Sequence, residues 1–362
     1  MIGLLPARHS AREVAGTKKW EDAVATRRSL VLSGLGALTA ATLGTGTNAR
    51  AEPAPALQKV NVVIPTESVF VLNFNGAKDA GLFRKDGIDL EVDVRPFAGF
   101  LAGLPSRESM VGTYSGIDAI EKINQGLDWV IIGPALTVVE EVIVRKDAPF
   151  KTVADLRGKK FGTFSTGAGS FKCVRAAMID AFSLDVVKDT KLEQVAGPAL
   201  TTLLERGQID AMTNISSLTM AAEAQPHKFR VLFSPNEYWQ QKTGYPIMWT
   251  APIVAWRSWV DQNTRRAKNF ASATEDSFRW LRSPENLNAA VKKYGKLAAV
   301  TNPEDVAEYK KWLETKNMFL TRWDRKVADA QWRFLDVCKR GGILTKVPPQ
   351  DKYAMFIGEL GT

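Results

Sequence analysis

Histidine is nearly missing from this chain: 362 residues hold two, His9 and His227. A zinc site built on several imidazoles is therefore excluded from the main body of the sequence, and a Ser-His-Asp triad would have to rest on His227 alone. Cysteine is as scarce, with Cys173 and Cys338 alone, so no disulfide framework is available. The organisation below puts the two in different lobes, which predicts two separate thiols. No apolar run reaches the roughly 20 residues that cross a bilayer. Low-complexity tracts and dense basic clusters are absent too. The excess of 48 Lys and Arg over 39 Asp and Glu is spread along the chain, which does not describe a nucleic-acid binder.

What is present begins with an address. Arg27-Arg28 runs into the uncharged stretch from Leu30 to Leu43, and Ala49-Arg50-Ala51 follows. Paired arginines, a short apolar core and a small-residue site predict a twin-arginine export signal over residues 1–51. With no cysteine after the core, the mature protein is expected to be periplasmic and free of a lipid anchor. Residues 1–51 carry seven Lys/Arg and three Asp/Glu, which leaves a net charge of +5.

From Val60 the pattern alternates short β-branched runs with helical ones. Val60–Ile64, Ile88–Val94, Val111–Tyr114 and Trp129–Gly133 read as strands, with helices over Ser68–Ala80, Leu101–Met110 and Ile117–Asn124 between them. A second unit of the same kind follows: strands at Lys160–Phe164, Ile209–Thr213 and Val231–Phe233, and a helix with Phe171, Val174, Met178 and Phe182 at helical spacing. This order predicts an α/β architecture with largely parallel sheets. Beyond Asp261 the chain is helical, with Asn302-Pro303-Glu304-Asp305 as one helix start and a long amphipathic helix over Thr321–Arg340.

Three stretches resemble a known family. Lys78–Val92 (KDAGLFRKDGIDLEV), Val142–Lys160 (VIVRKDAPFKTVADLRGKK) and Leu203–Ala211 (LLERGQIDA) are similar, in this order, to the sulfonate/nitrate/taurine and thiamine-precursor binding proteins of ABC transporters. Pro105–Gly112 and the Trp-rich C-terminal region depart from the family pattern. The resemblance implies a type II periplasmic binding protein fold: two α/β lobes joined by two crossing strands, with a helical C-terminal region. It divides the chain into lobe 1 (57–147 and 245–362) and lobe 2 (148–244). It implies a monomer that binds a small-molecule ligand in the interlobe cleft, from the sulfonate, nitrate, carboxylate or pyrimidine classes. The partner it implies is an ABC transporter permease in the inner membrane, with no cofactor, no metal, no nucleic acid and no catalysis. Two other readings are an enzyme of the thiamine-pyrimidine synthase type and a ligand sensor.

Ligands of open α/β sheets sit beyond the carboxyl ends of strands, which nominates particular loops. Ser165, Thr166, Gly167, Gly169 and Ser170 form a hydroxyl- and glycine-rich turn into a helix, suited to an anion or to plain helix capping. Thr66 and Glu67 follow the first strand, where Glu67 suits an amine or ring N–H. Phe97 and Gly99 follow the second strand, and an aromatic there walls the pocket. Thr113, Tyr114 and Ser115 follow the third, and Asn214 and Ser216 a later one. Trp249 lies past the second crossing, where it either packs in the core or meets ligand. His227 falls in a polar surface loop.

Overall fold

The structure, a computed structural model, describes residues 57–359. The expected export signal over residues 1–51 lies outside them. Among the described residues no helix is long and apolar enough to cross a membrane.

Ten strands carry the fold: β1 (Gln58–Pro65), β2 (Ile88–Arg95), β3 (Val111–Thr113), β4 (Trp129–Leu136), β5 (Val142–Arg145), β6 (Lys160–Thr163), β7 (Lys191–Gln194), β8 (Ala211–Thr213), β9 (Phe229–Phe233) and β10 (Ala251–Trp256). β1 pairs with β2, and a three-stranded sheet has the order β3-β10-β4. β1 packs beside β3, so these five strands make one wall. The other wall is a single sheet of order β7-β6-β8-β5-β9. All residues of β4 and β10 are buried, as expected for strands covered on both faces.

The chain passes from the first wall to the second over residues 137–141 and returns over 234–250. The first passage comes before the expected boundary at 147, since Val142 to Arg145 already pair with β9. The sheets are less parallel than the sequence predicts. β1 and β2 are parallel, as are β6, β7 and β8. β10, however, opposes both its neighbours, and so does β5. The reason is geometric. Parallel strands here end at the gap between the walls, whereas β5 and β10 start there because each enters from the other wall. No helix precedes β5 in its passage, and the helix Pro235–Thr243 that precedes β10 is not required for an antiparallel strand, which needs no crossover.

Helices cover the outer faces. Gly81, at φ +76°, ends the helix Phe70–Asp79, a left-handed position that glycine adopts without steric cost. In the C-terminal third, Thr264–Leu281 and Pro284–Ala298 pack on Phe70–Asp79. Pro303–Thr315 instead packs on Ser216–Glu223, and Arg325–Arg340 on Gly169–Phe182, both beside the second wall. Asn302 caps its helix by accepting from the Asp305 N–H (2.8 Å), and Asp305 returns the favour. The helix expected from Thr321 starts at Arg325, because Asp324 takes the cap position and accepts from the Val327 N–H. Cys173 and Cys338 sit on two helices that pack together; both thiols are free and buried.

One buried ion cluster ties these layers. The Lys316 ammonium donates to Glu141 Oε2 (2.8 Å) and to both oxygens of Glu223 (2.9 and 2.7 Å). Glu141 lies in the first passage and Glu223 ends a helix of the second wall. Burial and the neighbouring Glu141 push the Glu223 carboxyl up to about 8. Burial opposes the Lys316 charge, but the two carboxylates outweigh it and hold the ammonium protonated. Removing one partner of such a cluster leaves an uncompensated buried charge, a loss of about 3–5 kcal/mol. Lys316→Met should therefore lower the unfolding free energy by several kcal/mol in a urea titration. A loss under about 1 kcal/mol would mean that the cluster behaves as a solvated surface pair.

Candidate functional site

The strand ends of the two walls face each other across a cavity of about 40 Å³, room for a few waters, so the cleft is nearly shut. Its apolar lining is aromatic in the main: Phe70, Phe97, Phe100 and Phe164, with Leu136 and Ile215. Five hydroxyl-bearing residues line it, Ser68, Ser115, Ser170, Ser216 and Thr250. Glu140 is the one ionisable residue of the lining.

Local chain geometry explains why these residues converge. Ser115 immediately precedes the helix Gly116–Asn124, Ser170 is the second residue of Gly169–Phe182, and Ser216 opens Ser216–Glu223. Each helix follows a strand that ends at the cleft, so three helix N-termini point inward with their positive ends. Several contacts bridge the gap. The Gly169 N–H donates to Ser115 Oγ (2.8 Å). Phe97 meets Phe164 edge to face, with centroids 5.6 Å apart. The Lys172 ammonium, on the second wall's helix, pairs with Asp118 and Glu121 on the first wall's helix.

Glu140 and Thr250 stand on the two passages between the walls, at the floor of the cleft. Glu140 is 2% exposed, and its Oε2 accepts from Thr250 Oγ1 (3.1 Å). Burial pushes its carboxyl up to about 7, against the pull of Thr250 and of the Val139 and Glu140 N–H groups. The passages are also bonded to each other, Val138 N–H to the Ile247 carbonyl (2.8 Å).

Of the residues nominated from sequence, the cavity brings together Phe97, Ser115, Gly169, Ser170 and Ser216. The others stand off it. Thr66 and Glu67 are not among its lining, and their N–H groups are bonded to the Arg95 and Leu297 carbonyls. Gly99 lies against Arg95. Thr113 is buried within its strand, and the Tyr114 hydroxyl donates to the Leu101 carbonyl (2.9 Å) beside Phe100 and Trp129. Thr166 leans outward, with its N–H and hydroxyl on Gln194 Oε1, and Gly167 is exposed beside Ser165. The Asn214 side chain holds the Gly197 carbonyl and the Ile215 N–H. Trp249 is core: its indole N–H donates to the Gln331 carbonyl, and its ring meets Trp332 edge to face. His227 is exposed, in keeping with its polar loop.

Sequence reasoning missed Pro65, Phe70, Leu136, Glu140, Phe164 and Ala251 as lining residues, whereas Ser68, Phe100, Ile215 and Thr250 adjoin residues it nominated. For Glu140 a signal existed. Two acidic residues interrupt the apolar run from Leu136 to Val144, and charged groups in such a run are rarely buried without a purpose.

Two α/β walls with the chain crossing twice between them, and a cleft at their strand ends, are the fold of type II periplasmic binding proteins. The NMT1/THI5 like family model matches residues 71–286, and the chain belongs to that family. Among solved structures, the periplasmic aliphatic sulphonate binding protein SsuA from Escherichia coli is similar with a TM-score of 0.65 at 19% identity, over 83% of this chain and 92% of that one. The alkanesulfonate-binding protein SsuA from Xanthomonas axonopodis pv. citri, solved with bound MOPS, gives 0.61 at 14% identity, over 82% and 96%. The desulfurization enzyme DszB gives 0.54 at 14%, over 83% and 96%. No curated protein sequence matches the chain. At these identities the likeness is one of fold.

Two substitutions test the geometry. The residue before the helix Gly169–Phe182 is Ala168, which makes no side-chain cap, so Ser170 is free of capping duty. Ser170→Ala should leave the melting temperature unchanged and weaken solute binding about tenfold, the worth of one hydrogen bond. A fallen melting temperature with unchanged affinity would assign Ser170 to the scaffold. At Gly169 a Cβ would lie 2.3 Å from Ser115 Oγ and 3.2 Å from the Gly116 nitrogen. Gly169→Val should therefore hold the walls apart, raising the radius of gyration in small-angle scattering. An unchanged curve would show that the contact is dispensable.

Proposed function

We propose that the chain is the periplasmic solute-binding component of an ABC importer. It captures a small organic solute in the cleft and presents it, closed, to a permease in the inner membrane. The observation that carries this reading is the cavity itself. Both walls contribute to its lining, and the contacts that shut it, Ser115 with Gly169 and Phe97 with Phe164, join one wall to the other.

The proposed binding residues are Ser68, Phe97, Ser115, Gly169, Ser170, Ser216, Thr250 and Glu140. Lobe 2 would be the body built on the five-stranded sheet, lobe 1 the rest. Bending would fall on the two passages, where few residues must change conformation. Support for transport comes from the family and from relatives that are themselves periplasmic binding proteins. The twin-arginine segment supports export of the mature chain. Enzymes of this fold class that act through a covalent intermediate need a nucleophile such as Cys or Lys at the substrate. The lining offers neither, nor a His or Lys that would activate its serines, and burial drives the Cys173 and Cys338 thiols upward, away from the reactive thiolate.

Scattering with and without solute tests the mechanism. A solute found by thermal-shift screening, at 100 times its dissociation constant, should stabilise the protein by about 2.7 kcal/mol and reduce the spread of radii of gyration. Saturation without any change in the scattering curve would remove closure from the mechanism.

A further inference from the structure

We propose that Glu140 selects the solute, and that the solute is a small organic base: an apolar or aromatic body carrying an amine or amidine whose N–H groups Glu140 accepts. This rests on the cleft being a solute site, and it turns the expected class away from oxyanions.

Three observations carry it. First, the lining has no Arg, Lys or His, and its one ionisable side chain is a carboxyl. An oxyanion held here would meet no countercharge. Second, two of the features that suit an anion are already engaged. The Gly169 N–H, at the mouth of the glycine- and serine-rich turn, donates to Ser115 Oγ, and the Lys172 ammonium is spent on Asp118 and Glu121. The inward helix ends favour a negative charge, and Glu140 supplies one from the protein. Third, Glu140 is 2% exposed yet faces the cavity, and Thr250 is the one side chain that donates to it. A carboxylate has about four acceptor sites, so capacity remains for a donor on the solute. Four phenylalanines, Phe70, Phe97, Phe100 and Phe164, line the same cavity and suit an apolar or aromatic body.

The titratable neighbours of Glu140 do not change this reading. Glu141 is turned to Lys316, and the Cys173 thiol is held neutral by burial. Because burial raises the Glu140 carboxyl to about 7, its charge varies in the accessible pH range. Above that value it is a carboxylate and attracts a cation. Below it, it is a neutral acid that no longer attracts one.

The test uses benzamidine and benzenesulfonate, two probes with the same ring and opposite charge, titrated calorimetrically into the mature protein. At about pH 8.5 benzamidine should bind at least about tenfold more tightly than benzenesulfonate. Its affinity should fall as pH drops through about 7, by up to tenfold per unit, with the reverse trend for the sulfonate. Glu140→Gln keeps the side-chain shape and an acceptor for Thr250. It should cost benzamidine about tenfold or more and abolish its pH trend. The wild-type pH profile stands on its own should that variant fold poorly. Tighter binding of benzenesulfonate across the range, or benzamidine affinity indifferent to pH and to Glu140→Gln, would overturn the proposal while leaving a solute-binding protein in place. No binding from a mixed panel of amines, amidines, sulfonates, carboxylates and nitrate would overturn both.

Discussion

The arrangement depends on two lengths of chain, residues 137–141 and 234–250, that run between the walls and are bonded to each other through Val138 and Ile247. They fix three things at once. They make β5 and β10 enter their sheets from the cleft side, which turns both strands antiparallel to their neighbours. They set Glu140 and Thr250 face to face at the cleft floor. They also anchor the C-terminal third, since the Thr137 N–H and hydroxyl reach the Met318 carbonyl, and Gln331 bonds Pro246 and Met248. A ligand group at Glu140 would therefore touch the hinge itself.

This placement explains how one region gathers opposed electrostatic demands. Helix ends lend positive potential to the serine side of the cleft, while the floor carries a carboxyl that burial keeps close to neutral. Neither tendency is met by a mobile counter-ion, because the nearby ammonium groups of Lys172 and Lys316 are each shared between two carboxylates. Fixed pairs of this kind hold the layers in register. They leave the cleft floor as the place where an incoming charge makes the largest difference.

Much of this was legible in the sequence. Strand-by-strand alternation gave the α/β class, and the three motif stretches named the family. Loops after strands located Ser115, Gly169, Ser170 and Ser216, because strand ends and helix starts are local properties. What stayed hidden is what depends on distance in the chain. Thr166 looked equivalent to Ser170, but Gln194 on the neighbouring edge strand draws it away. Glu67 does not line the cavity, and the carboxyl that does comes from the passage 73 residues later. For Trp249 the sequence left core packing and ligand contact both open, and Gln331, far along the chain, claims its indole. The antiparallel strands were missed because direction relative to a neighbour is set by where a segment enters the sheet, which periodicity does not encode.

The strand order β3-β10-β4 carries a consequence for how the chain assembles. β3 and β4 are not neighbours without β10, which is supplied about 120 residues after β4 begins. The second sheet, by contrast, is continuous from Val142 to Phe233. As the chain lengthens, the second body can close around its own strands while the first is still missing its middle one. The gap would keep the apolar faces of β3 and β4 uncovered until late, and long-range closure of this kind is slow. The first body is thus the one to finish last, and the one whose unfinished state is the more exposed to misassembly.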